Sequence, residues 1–425
     1  MSLLLNNARY IDWKTLEFKD CNILVHEGER GKIEFSGQVA EEENPTVIDC
    51  KGKFVTKSFA CGHHHVYSAL SRGMGAPSQI PTNFLEILQY IWWKLDKCLD
   101  KEMIEASALA TAIYCAKNGV TFVIDHHSSP SAIEDSLEII AAAFDKVGIS
   151  HLLCYEMSGR DGLEAERKGL EETERYLKNG NQGLVGLHAS FTVGTSLLQE
   201  AVSLAEKFNS GIHVHAAEDS LDEELCQKEY KTAVIKRFFK AGVLQFPKTI
   251  LAHCLYIDPY ERDILKESPV SIAENTESNL NNNVGFFSPV GLNPENIFLG
   301  TDGMHSDMIR SAKASFFVGQ FNGGISPDGA YRRFRNVHEY IRKNKFQGDG
   351  ENNLVILDYD SPTPIGPENF PGHFIYGLES RHVESVISNG RLIVHERKVL
   401  TVNEEECFEF SRNMGQKLFR CLREN

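Results

Sequence analysis

Apolar residues in this chain come in short runs divided by polar stretches, and the spacing changes twice along its length. Residues 6–11, 21–26 and 32–35 suit short β-strands joined by turns. Strand-like runs return at residues 354–359 and 383–387, after which Asn389-Gly390 turns the chain into residues 391–394. Neither end alone has enough strands to bury a core. Residues 1–57 and 352–425 are therefore expected to form one composite β-sandwich domain.

Residues 58–351 alternate strand-like and helix-like patterns. Strands are expected to begin near Val55, Val120, Ile149, Leu184, Ile212, Ile250, Val270 and Ile297. Residues 102–118 are alanine-rich and stop at Gly119, a helix-ending residue. Ser129-Pro130 reads as the start of another helix that runs to Gly148, with proline in the tolerated first turn. Eight strands, each followed by a crossover, fit the α/β class as a (β/α)8 TIM-like barrel. An open doubly wound sheet is the alternative. However, no G-x-G-x-x-G follows a strand and no Walker loop is present, so a nucleotide site of that type is unsupported.

Histidines sharpen this picture. Ten of the sixteen lie between His63 and His253, nearly all at the ends of apolar runs. The series is His63-His64-His65, His126-His127, His188, His213-Val214-His215 and His253, closing on the acid of Thr301-Asp302-Gly303. A barrel enzyme assembles its site from residues at the C-terminal ends of its strands, which is this layout. His63 and His65 are two apart, so on a strand both face the barrel mouth while His64 faces away. Glu218 lies three residues beyond His215, where a desolvated loop carboxylate can shuttle protons. Its ordinary reading is a surface acid at the start of a solvated helix face. Adding Asp302 to three imidazoles suits one zinc ion, or iron, with a position left open for water.

Composition narrows the partners. The formal net charge of -15 argues against nucleic acid and anionic membranes. No apolar stretch approaches a membrane span and no signal-peptide pattern opens the chain, so a cytoplasmic protein is expected. The ten cysteines show no paired spacing and are expected to be reduced thiols. Cys61 and Cys254 flank proposed ligands, although small buried hydrophobes are their ordinary role.

Taken in order, His63-His64-His65, His215 with Glu218, His253 and Thr301-Asp302-Gly303 resemble the amidohydrolase superfamily, in its mononuclear deaminase and chlorohydrolase branch. Residues 66–74, 90–96, 123–130 and 358–364 resemble the SsnA-like aminohydrolases within it. The resemblance spans residues 20–400 or so. It implies His63, His65, His215 and Asp302 as metal ligands, and Glu218, His253 and Asp302 as the groups that work on substrate and water. It also implies His188 as a substrate contact at the position where binuclear relatives carry a carboxylated lysine, so a single metal is expected. Tyr67, Arg72, Trp92, Trp93 and His127 are further candidates for the substrate side. Two departures stand out. Ser58-Phe59 replaces the usual Pro-Gly, and Ala273-Glu274-Asn275 stands where relatives often carry His-Asn-Pro before a similar Ser-Asn.

The implied activity is hydrolytic deamination of an amino-substituted nitrogen heterocycle, purine-, pterin- or triazine-like. The alternatives are dechlorination of a chlorinated heterocycle by the same machinery, and a catalytically dead binding module. The expected partners are a small heterocyclic molecule and a second copy of the chain in a homodimer.

Overall fold

A computed structural model describes residues 2–36 and 45–424. Eight parallel strands form its centre: Phe59–His64, Val120–His127, Ser150–Tyr155, Val185–Ala189, Ile212–Ala216, Ile250–His253, Ser271–Glu274 and Ile297–Leu299. The first three pair in chain order, and so do the last five. Bridges between Met157 and Leu187 and between His64 and Asp302 join the two arcs. The strands therefore close into a barrel, which rules out the open sheet. The second strand is buried at every position, as expected where helices cover the outside and side chains fill the inside.

Closure is tightest beside the histidines. A Cβ added to Gly300 would lie 2.2 Å from Asn275 Oδ1 and 2.8 Å from His63 Cβ, so only glycine fits there. The amides of Thr301 and Asp302 then donate to the His63 carbonyl at 2.9 and 3.1 Å, which fixes Asp302 next to the first strand.

A second sheet of nine strands draws on both ends of the chain. Phe54–Lys57 runs antiparallel to Leu354–Leu357 and parallel to Leu3–Ile11. Leu5, Ile23 and Val55 share one core with Leu354, Ile356 and Ile387. The strand expected near Val55 thus belongs to this sheet, and the barrel starts only at Phe59, past Ser58. The helix expected from Ser129 starts instead at Ser136, because residues 128–135 form turns after the second strand.

The C-terminal stretch departs furthest from expectation. Glu404–Glu424, within the stretch assigned to the β domain, is a long helix. It packs on the helices Lys101–Lys117 and Trp93–Cys98. Its end is bonded covalently to the latter through a disulfide between Cys98 and Cys421. This corrects the expectation of reduced thiols throughout. The two cysteines are 323 residues apart in sequence, so no local spacing could reveal the pair. Thiol titration of the unfolded chain should find eight free thiols before reduction and ten after. Cys421→Ser should lower unfolding stability by about 2–4 kcal/mol, which chemical denaturation would measure. Ten thiols before reduction would contradict the pairing.

Candidate active site

Every strand of the barrel ends at the same mouth; the strand ends carry most of the imidazoles, and Glu218 and Asp302 lie in the turns just beyond. Several of these ends turn through left-handed backbone. Ala217, His253, Cys254 and Asp302 have φ of 47, 73, 52 and 51° although none is glycine. Such conformations cost of order 1 kcal/mol each and persist where surrounding structure holds them, as at functional sites.

Hydrogen bonds set the imidazole tautomers. His65 Nδ1 donates to the His126 carbonyl at 2.6 Å, and His215 Nδ1 donates to the His188 carbonyl at 2.9 Å. A carbonyl can only accept, so each ring in its neutral form keeps its lone pair on Nε2; against its burial, the Asp302 carboxylate raises the His65 pKa to about 9, so a cation bound there would displace the His65 Nε2 proton. These two Nε2 atoms face each other at 3.2 Å. His253 Nδ1 donates to Asn279 Oδ1 at 2.7 Å, which leaves its Nε2 buried and unpartnered as well. His63 Nδ1 lies 2.9 Å from His213 Nε2, and His63 Nε2 lies 3.2 Å from Asp302 Oδ1. Asp302 Oδ1 is also 2.8 Å from His65 Nε2. Burial works against charge on Asp302, yet His65 and His63 hold its carboxyl well below the usual carboxylate range.

Converging lone pairs and a carboxylate repel one another unless a cation sits among them. That donor set fits a zinc-like ion. One ligand atom each from His63, His215, His253 and Asp302 lies within 4.8 Å of the others. His65, His126, Glu156 and His215 form a second such group. His215 has only Nε2 to offer, and one lone pair serves one metal. The Arg160 guanidinium, 2.8 Å from Glu156, also disfavours a cation in the second group. The donors therefore suit one ion, on the Asp302 side.

A narrow cleft opens directly onto these groups. Glu218 lines it, with Oε2 at 3.6 Å from His253 Nε2. Burial and the charge of Asp302 push the Glu218 carboxyl well above its ordinary value, which favours the protonated acid. Ser278 Oγ donates to Asp302 Oδ2. With Asn279 on His253, this gives the Ser-Asn pair of the seventh strand's helix a part in setting both groups.

Of the residues expected on the substrate side, His188, Tyr67, Trp92 and Trp93 line the cleft. Arg72 and His127 do not line it. Arg72 stacks on Tyr114 at 4.5 Å, beyond the turn that follows the first strand. His127 alternates with inward-facing His126, so it points away, bonded to Ser129 Oγ at 2.9 Å. His64 likewise turns from the site and meets Ser306 Oγ at 3.1 Å.

Three charged lining residues had not been singled out. Asp96, Glu156 and Arg160 form a buried network, with Arg160 at 2.7 Å from Asp96 and 2.8 Å from Glu156. Burial pushes the Asp96 carboxyl up to about 7, against the pull of Arg160. Glu156 follows the run Leu152-Leu153-Cys154-Tyr155, the same signal of an apolar run ending in a polar group that marked the histidines.

Comparison with known proteins gives a consistent result. The family model described as "Amidohydrolase family" matches residues 54–332. A 5'-deoxyadenosine deaminase of Methanocaldococcus jannaschii is 27% identical, covering 92% of this chain and 95% of its own. A crystal structure of an adenosine deaminase from Xanthomonas campestris with bound zinc superposes with TM-score 0.81 at 14% identity, covering 98% of each chain. The zinc complex of the atrazine chlorohydrolase TrzN from Arthrobacter aurescens superposes with TM-score 0.79 at 15% identity, covering 97% of this chain and 100% of that one.

Proposed function

The chain belongs to the amidohydrolase family, and from that premise we propose that it removes the exocyclic amine of a nitrogen heterocycle by hydrolysis, using one divalent metal, zinc or iron. The observation that carries this reading is Glu218, a half-buried carboxyl that lines the cleft 3.6 Å from His253 Nε2 at the rim of the donor cluster, its pKa pushed up by burial and by Asp302. Deamination needs such a group, because the ring nitrogen must be protonated as water adds to the neighbouring carbon. The deaminase activity named for the Methanocaldococcus jannaschii relative points the same way and puts 6-aminopurine nucleosides first among candidate substrates. Pterin- and triazine-like rings come next.

His63, His65, His215 and Asp302 would hold the metal, and a metal bound there supplies a water of lowered pKa. Asp302 takes a proton from the attacking water. Glu218 protonates the ring nitrogen beside the carbon under attack. The proton on Asp302 then passes to the amine, which leaves as ammonia, and the new hydroxyl returns a proton to Glu218. His253 orients the water, its Nε2 lone pair fixed by Asn279.

Activity should follow the Glu218 proton. Raising the pH through a raised carboxyl pKa removes that proton, so kcat/KM should fall on the alkaline side. A profile already declining between about pH 4 and 5, where an ordinary glutamate ionises, would contradict this role. Dechlorination needs no proton for an amine leaving group. Measuring ammonia and chloride release from matched amino and chloro rings separates the two chemistries.

A further inference from the structure

A short helix, Thr276–Asn281, follows the seventh barrel strand and bonds to the donor cluster, Ser278 to Asp302 and Asn279 to His253. Asn282 caps the C-terminal end of this helix. It is buried, and it lines the cleft together with Ser278, Glu218 and Asp302. The proton chemistry gives it no part. It lies four residues beyond Ser278, a spacing that brings two side chains together on one helix face. Its backbone amide also donates to the Ser278 carbonyl at 2.9 Å.

The Asn282 side chain can face only one way. A carboxylate only accepts, so the Ser278 hydroxyl must donate to Asp302 Oδ2. That spends its single proton, and Ser278 Oγ can then only accept from its next neighbour. This neighbour, 3.4 Å away, is therefore the amide's donor, Asn282 Nδ2. Asn282 Oδ1 points the other way and accepts from Asn281 Nδ2 at 3.1 Å. The result is one directed chain from Asn281 through Asn282 and Ser278 to Asp302. It ends on Oδ2, and leaves Oδ1 to the side of His63 and His65. Asn282 also hydrogen-bonds the Glu218 carboxyl, where it favours the ionised form that remains once the proton is given up.

We infer that Asn282 is a positioning residue for the metal site: by donating to Ser278 it holds the serine hydroxyl on Asp302 Oδ2 and so keeps Oδ1 for the ion. This role rests on the reading of Asp302 as a metal ligand. Groups that bond to the far side of a ligand fix its orientation and charge, and so tune metal affinity. Without the Asn282 donor, Ser278 Oγ is left buried with an unsatisfied lone pair, and its hydroxyl is no longer tied to Asp302.

Zinc affinity, measured by competition with a chromophoric chelator, tests this without any turnover. Asn282→Leu and Ser278→Ala should each bind zinc about 10-fold or more weakly, the scale of losing a hydrogen-bond partner behind a metal ligand. Asn282 acts through Ser278, so the double variant should match the weaker single variant to within about twofold. Asn282→Ala adds no bulk and should behave as Asn282→Leu does. With zinc saturating, kcat of Asn282→Leu should fall about 10-fold or more while KM moves little. Unchanged zinc affinity in both Asn282 variants, or losses that multiply in the double variant, overturns the role. Zinc losses that follow the chain, with no ammonia released even by the unsubstituted enzyme, would uphold the role and sink deamination instead.

Discussion

Glu218→Gln is expected to keep its metal and to lose a factor of about 10²–10⁴ in kcat, the usual worth of a positioned proton donor. Glutamine preserves the shape and can still donate a hydrogen bond, but it cannot release a proton to a ring nitrogen. The size of the loss rests on the environment. Glu218 is partly enclosed beside Asp302, and both effects push its carboxyl toward the protonated form. Its nearest imidazole nitrogen is at 3.6 Å, on His253, so the acid is not consumed by a tight ion pair. Elemental analysis alongside kinetics checks both halves of the expectation. Full activity in the variant, with metal in place, would remove Glu218 from the mechanism.

His215→Ala should have the larger effect, stripping the metal and with it three or more decades of activity. Metal assistance supplies several kcal/mol of transition-state stabilisation, and each 1.36 kcal/mol is about tenfold. His215 belongs to both candidate donor groups, and its Nε2 faces His65 Nε2 at 3.2 Å. Removing it takes one imidazole from the group it shares with His63, His253 and Asp302, and one from the group of His65, His126 and Glu156. Asp302→Asn should fall between the two variants in metal content, since the amide oxygen still ligates weakly, but activity should drop as far because the base is gone. Should His215→Ala retain stoichiometric metal, the ligand assignment is wrong.

Much of the barrel could be read from sequence because parallel strands buried on both faces leave dense apolar runs, and the family's polar groups sit where those runs stop. Val120–His127 and Ile212–Ala216 are clear cases. The boundary at Ser58 was harder, since Phe54–Lys57 and Phe59–His64 form one continuous buried stretch shared by two sheets, with polar Thr56, Lys57 and Ser58 buried in its middle. The Cys98–Cys421 pair was beyond reach, because only tertiary packing brings the last helix onto the helix that ends at Cys98. That last helix was legible, though. Phe408, Ser411, Gly415, Leu418 and Leu422 recur at helical spacing, and strand-like neighbours upstream obscured them. In the site, histidines stood out by their rarity. Asp96, Glu156 and Arg160 did not, because common charged residues gain significance only once the fold brings them to one wall.

The measurement closest to the central claim is ammonia release from 6-aminopurine nucleosides and other amino-heterocycles by metal-replete enzyme, set against the same protein after chelation. The account predicts one ammonia per hydroxylated ring product, loss of release on chelation, and recovery when zinc or iron is restored. Metal-replete protein that releases no ammonia from any ring, or that releases it equally well after chelation, would contradict it.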